Sequence, residues 1–206
     1  NQSRCFGALQ RYMIYGSDFI RRTTLTDPAL QGLTSEQLLA KIGDLMGKQH
    51  EVLYYGPQDE AEVKAALAAH HKVAADLQPL EKKFSTLQPT DENKVMLAQY
   101  DAKQLYYMQY SNRGEKFDLA ADPQITLYNE YFGGGMNTIV FQEMREARGL
   151  AYSAWANLAI PTNAKGDYYY MAFIATQNDK MQKAIEAFDE IINNMPESEK
   201  AFSIAK

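Results

Sequence analysis

At 206 residues the chain has material for one large or two small hydrophobic cores. Hydrophobic residues at 46% and charged ones at 23% are ordinary for a globular protein. A net charge of −5 offers no basic face to neutralise phosphate, and no run approaches the roughly 20 apolar residues of a membrane-spanning helix, so nucleic-acid and membrane-spanning readings are poor. The single cysteine, Cys5, excludes an internal disulfide and a thiolate metal site, and it does not decide the compartment.

In chain order, the first clear element is Thr34-Ser35-Glu36-Gln37, a capping-box pattern that predicts a helix with Leu38, Ile42, Leu45 and Met46 on its apolar face. Glu51 to Tyr55 is β-prone and ends at Gly56-Pro57. Asp59 and Glu62 then open a second helix with Val63, Ala66, Leu67 and His70. Helix, strand, helix predicts a half-buried α/β layer. Pro79 and Pro89 bracket a stretch without a clear period, so residues 1–80 are assigned to the end of one α/β unit, 81–91 to a linker and 92–206 to a second unit. The charged run Glu81-Lys82-Lys83 reads as solvated linker.

The second unit is predicted to open with a hairpin of strands at Lys94 to Gln99 and Gln104 to Tyr110. Asp122-Pro123 then makes a helix start, with Asp122 as the N-cap acid and Pro123 at the first helical position, Ile125, Tyr128 and Phe132 recur at helical spacing, and Gly133, Gly134 and Gly135 stop it. Asn137 is placed as the cap of the next helix, whose stripe is Val140, Met144 and Ala147 and which ends at a left-handed Gly149. Strands follow at Leu150 to Ile160 and Asp167 to Thr176, the latter with Tyr169, Met171, Phe173 and Ala175 on one face, and a long helix striped by Met181, Ile185, Phe188, Ile192 and Met195 is expected to pack over the strands. Hairpin strands with helices on one face make an α+β, two-layer sandwich. The tyrosine clusters at 54–55, 106–107 and 168–170 read as sheet packing. With neither a P-loop lysine nor a preceding strand, the glycine run is a poor phosphate cradle, and a hinge or clearance role fits it better.

The block running from Gly133-Gly134-Gly135 through a helix to Arg145-Glu146-Ala147-Arg148-Gly149-Leu150-Ala151-Tyr152 resembles the pitrilysin-type zinc metallopeptidases, in the half that does not carry the metal. By itself Arg145 would be a solvated residue paired with Glu143 or Glu146, and Tyr152 a half-buried strand tyrosine. The resemblance implies instead that the two bind substrate, as a permanent cation and a phenolic donor that hold the carbonyl oxygen and backbone of a peptide under attack. The family's His-x-x-Glu-His metal helix has no counterpart here. His50, His70 and His71 are the only histidines, and adjacent His70 and His71 diverge by about 100° on a helix, so all three read as surface or packing residues.

The resemblance therefore implies a substrate-holding half with no catalytic residue and no metal of its own. Zinc is expected in a metal-bearing half of the same polypeptide or in a partner subunit, with a peptide as substrate. A catalytically silent homologue, acting as a structural or peptide-binding subunit, is the alternative. Opening at Asn1 and closing at Lys206 inside an amphipathic stretch, the chain reads as a piece of a longer polypeptide.

Overall fold

The structure, a computed structural model, describes residues 1–80 and 85–206, so Glu81-Lys82-Lys83 and the start of the expected linker lie outside the described residues. Two compact units are formed, one from Asn1–Arg22 together with Thr86–Lys206 and the other from Thr23–Ser85.

The larger unit is built on a three-stranded antiparallel sheet of strands β1 (Gln104–Ser111), β2 (Ser153–Ala159) and β3 (Tyr169–Gln177), in the order β1-β3-β2. Phe173 of β3 stands opposite Met108 on one side and Trp155 on the other. The chain is α+β, as its sequence pattern implies, but helices pack on both faces of the sheet and not on one: the N-terminal helix on the Phe173 face and the unit's other helices on the Ala172 and Ile174 face. On that face Ala154, Ala156, Ala172 and Ile174 join Phe132, Val140, Met144, Phe188 and Ile191 in one buried cluster, with Tyr107 and Tyr170 packed against it.

The long helix α7 (Met181–Asn193) packs over the sheet as expected, on the Ala172 and Ile174 face of β3. Its buried residues are Ala184, Ala187, Phe188 and Ile191; of the expected stripe Phe188 is buried, Met181 and Ile185 are half-buried, and Ile192 and Met195 are exposed. Close approach decides this: alanines on both surfaces let the helix lie near the sheet, and larger side chains at the contact would hold it away. The Phe173 face receives α1 (Gln2–Thr23), a helix broken at Gly16, where φ is 75°. From α1, Phe6 meets Tyr106 and Phe173 edge-on at 5.3 and 5.5 Å, and Trp155 stacks on Phe173 at 5.8 Å.

Between β1 and β2 run two interrupted helices. The first, α5 (Asp122–Tyr128), opens into a wide π turn at Asn129–Gly133. Asp122 is not its N-cap, because its carboxylate accepts a hydrogen bond from the Tyr168 hydroxyl at 2.9 Å and Ala121 holds the cap position. In the wide turn, the Asn129 side chain donates to Leu158 O at 2.9 Å and accepts from Leu158 N at 2.8 Å, satisfying the outer edge of β2. Gly133 lies against the same edge: a Cβ there would sit 2.0 Å from Ala156 O, whereas one on Gly134 would meet open space. The second interrupted helix, α6 (Ile139–Phe141), continues as a π turn over Gln142–Ala147. Thr138, not Asn137, is its N-cap residue, with its hydroxyl donating to Gly135 O at 2.7 Å. The last helix, α8 (Glu199–Ala205), is capped by Ser198.

The expected strand Lys94 to Gln99 does not form, and the sheet has three strands where four were expected. Val95 and Leu97 are each 86% exposed, and just upstream Thr90 bonds to Asn112 O at the end of β1, so no ladder is available to that pattern. The later strands begin two or three residues inside their expected bounds, at Ser153 and Tyr169: Leu150 to Tyr152 are spent on the turn leaving α6, and Asp167 and Tyr168 pair with Lys116 and Glu115 outside the sheet.

The smaller unit holds α2 (Asp27–Gln31), α3 (Ser35–Leu45) and α4 (Glu60–His70). Thr34 and Gln37 close the capping box in both directions at 3.3 and 3.0 Å, and Asp59 caps α4. The expected strand Glu51 to Tyr55 is irregular; among the described residues the pairing nearby is a single parallel bridge between Lys48 and Gln78. Among its described residues none is buried, and Leu38, Ile42, Leu45 and Met46 stand exposed, so the half-buried α/β layer expected here is absent.

The edge contact at Gly133 gives a sharp test of the glycine run. Gly133→Ala is expected to destabilise the protein by about 1–3 kcal/mol, as overpacking does, and Gly134→Ala by less than about 0.5 kcal/mol. Equilibrium denaturation of the two variants measures the difference.

Candidate functional site

The site begins with how α6 ends. Its π turn places the Arg148 amide on Glu143 O at 3.2 Å, and Gly149 then turns left-handed with φ 59°. The amides of Leu150 and Ala151 both return to Met144 O, at 2.9 and 3.2 Å, which closes the helix end as a glycine C-cap does. Tyr152 N donates to Ala175 O at 2.8 Å, locking the emerging chain onto β3. Two side chains hold the turn from outside: the Thr176 hydroxyl donates to Leu150 O at 2.6 Å and Lys180 Nζ to Gly149 O at 3.2 Å.

The consequence is a shared rim. The guanidinium carbon of Arg145 lies 5.7 Å from the centre of the Tyr152 ring and 5.0 Å from that of Phe141. Both distances fall within the roughly 6 Å over which a cation is attracted to an aromatic face. Tyr152 is 69% exposed and the Arg145 side chain 45%, so the charge and the phenol are open to a ligand. Arg145 also faces Glu146 at 3.7 Å, a pairing between exposed side chains that salt and water weaken. Phe141 was not singled out from sequence. Its position four residues before Arg145, one helical turn away, was the available signal.

The neighbouring Arg148 has a different fate. Its guanidinium lies 2.7 Å from Glu190 of α7 and 3.4 Å from Glu143, and these acids hold its pKa above the usual arginine value while Arg148 holds that of Glu190 below the carboxylate range. Arg148 thus ties α6 to α7. Of the glycine run, Gly133 is buried beneath β2, while Gly134 and Gly135 are exposed. His70 ends α4 and His71 caps it, and His50 lies beyond α3, all in the Thr23–Ser85 unit. Among the described residues no group of three or more His, Cys, Asp or Glu side chains could hold a metal ion, and no helix is long and apolar enough to cross a membrane.

The two arginines should separate experimentally. Arg148→Ala is expected to lower the melting temperature by about 2–4 °C, and Arg145→Ala by less than about 1 °C. Thermal denaturation followed by circular dichroism distinguishes them.

Comparison with solved structures finds the same fold at low sequence identity. The peptidase M16 inactive domain from Pseudomonas fluorescens aligns with TM-score 0.57 and 20% identity over 87% of this chain and 43% of that one. A conserved protein from Enterococcus faecalis V583 aligns with TM-score 0.59 and 16% identity over 87% and 42%, and a protease from Helicobacter pylori with 0.57 and 13% over 87% and 44%. The chain thus spans less than half the length of each. No curated protein sequence matches it. The family model described as the peptidase M16 inactive domain matches residues 32–206, the stretch that carries the glycine run, Arg145 and Tyr152, and the chain belongs to that family.

Proposed function

We propose that the chain is the substrate-holding, non-metal half of a zinc peptidase, in which Arg145 and Tyr152 bind the backbone of a peptide beside its scissile bond. The observation that carries this reading is the placement of the Arg145 guanidinium 5.7 Å from an exposed Tyr152 ring on one rim. As water attacks a peptide carbonyl, charge develops on its oxygen. A guanidinium cannot lose its proton near neutral pH and a phenol can donate one hydrogen bond, so the pair suits charge stabilisation and positioning. The Phe141 and Tyr152 rings confine the guanidinium without neutralising it.

The described residues do not fit a catalytic zinc, which takes three protein ligands and an open position. Zinc and general base are therefore assigned to a metal-bearing half of the same polypeptide or to a partner subunit, and this chain is given binding work alone. It comprises two compact units, Thr23–Ser85 and Asn1–Arg22 with Thr86–Lys206.

Two measurements test the proposal. The isolated chain is expected to hydrolyse no fluorogenic peptide, and chelator-sensitive cleavage by it alone would overturn the division of labour. In the complete zinc-loaded enzyme, Arg145→Ala and Tyr152→Phe are each expected to lower kcat/KM by at least about tenfold, and the double variant by less than the product of the two factors. Tyr152→Phe keeps the ring over Arg145 and removes the hydroxyl alone. Full activity in both single variants would defeat the proposed role, and peptide binding without hydrolysis by the wild-type assembly would identify a peptide-binding subunit instead.

A further inference from the structure

In the Thr23–Ser85 unit two histidines 21 positions apart meet at their ring tips. His50 Nε2 lies 2.7 Å from His71 Nε2, with ring centres 5.0 Å apart and planes at 87°. Only one of those nitrogens can carry the hydrogen between them. His50 Nδ1 lies 2.7 Å from the carbonyl oxygen of Lys48, and a carbonyl accepts only, so Nδ1 bears the hydrogen and Nε2 of the neutral ring is the bare acceptor. His71 Nε2 is then the donor. A ring with one N–H fixed on a backbone carbonyl and the other nitrogen bare has the tautomer and orientation of a metal-ligating histidine.

The backbone on both sides is held. Gln49 N donates to Gln78 O and Gln78 N to Gly47 O, each at 2.8 Å, next to His50. His71 N donates to Leu67 O at 2.8 Å, fixing it at the C-terminal, partially negative end of α4. His50 is exposed and His71 half-exposed, so an ion in water reaches both.

We propose that His50 and His71 form a two-imidazole site for a borderline divalent transition-metal ion such as Ni²⁺ or Zn²⁺, with water completing the coordination. The ion takes the place of the shared hydrogen. The His71 proton moves from Nε2 to Nδ1, both rings stay neutral, and each Nε2 lone pair forms one bond to the metal. Metal–nitrogen bonds of about 2.0–2.1 Å in tetrahedral geometry set the nitrogens about 3.3 Å apart, roughly 0.6 Å wider than here and within reach of a small rotation of solvent-facing rings. Imidazole nitrogen suits these ions and not magnesium or calcium. With two protein ligands and no attendant carboxylate, the site staples the segment after Lys48 to the end of α4 and supplies no peptidase chemistry.

Isothermal titration of the tag-free chain with nickel chloride tests the site. One Ni²⁺ per chain is expected, with affinity falling at least about tenfold in both His50→Ala and His71→Ala, as loss of a ligand or its supporting partner does. His70→Ala, a neighbour turned about 100° away on the helix, should leave affinity within about twofold. As a readout that needs no variant, Zn²⁺ should shift the imidazole ¹⁵N resonances of His50 and His71 together and leave those of His70 in place. Absence of binding at ~1 mM Ni²⁺, binding that survives loss of either histidine, or Zn²⁺ shifts confined to His70 would overturn the proposal.

Discussion

The rest of the larger unit depends on how closely its helices can approach the sheet. Ala172 presents almost no side chain on the β3 face under α7, whose Ala184 and Ala187 are buried too, and Phe188 and Ile191 reach full burial in the same cluster as Ile174. At the outer edge of β2 the tolerance is tighter still, because Gly133 has no room for a methyl group against Ala156 O. Interiors packed to this density deform in steps and not gradually. The wide turns after α5 and α6 are local departures from helical geometry that bring Gly133 and Met144 into those contacts.

From that packing follows the chemistry of the rim. Met144 is buried at its side chain while its carbonyl closes the Gly149 turn, so one residue couples the core to the direction in which Tyr152 leaves. Arg145 and Arg148 are three positions apart on the same turn yet meet different partners. Two acids engage Arg148 between α6 and α7, whereas Arg145 is left with two aromatic walls and one exposed acid. A ligand oxyanion competes better for the second kind of arginine, since less must be broken to reach it.

The Thr23–Ser85 unit shows local order without a core. Capping at Thr34 and Asp59 satisfies the first turns of α3 and α4, and the Lys48 to Gln78 bridge joins distant segments, yet Leu38, Ile42 and Leu45 remain in solvent. Helix ends can be satisfied by neighbours in sequence; an apolar face can be satisfied only by another surface. The His50 and His71 contact arises in the same way, from a bridge and a helix end that sequence spacing does not connect.

The sequence by itself determined what is short-range or carried by an uninterrupted pattern. The capping box at Thr34, the left-handed Gly149, the strands around Tyr106, Ala156 and Phe173, and the block from Gly133 to Tyr152 were legible because neighbouring residues specify them. Tertiary structure decided which surfaces meet. Val95 and Leu97 alternate like a strand but have no ladder, the burial of α7 extends from Phe188 to its alanines and Ile191, and β3 turns Ala172 and Ile174 toward α7 and Phe173 toward α1. Phe141 joined Arg145, and His50 met His71, only through the paths of the intervening chain. Periodicity reports that a face is apolar; shape, size and the supply of a partner decide whether that face is buried, and none of these is a property of one segment alone.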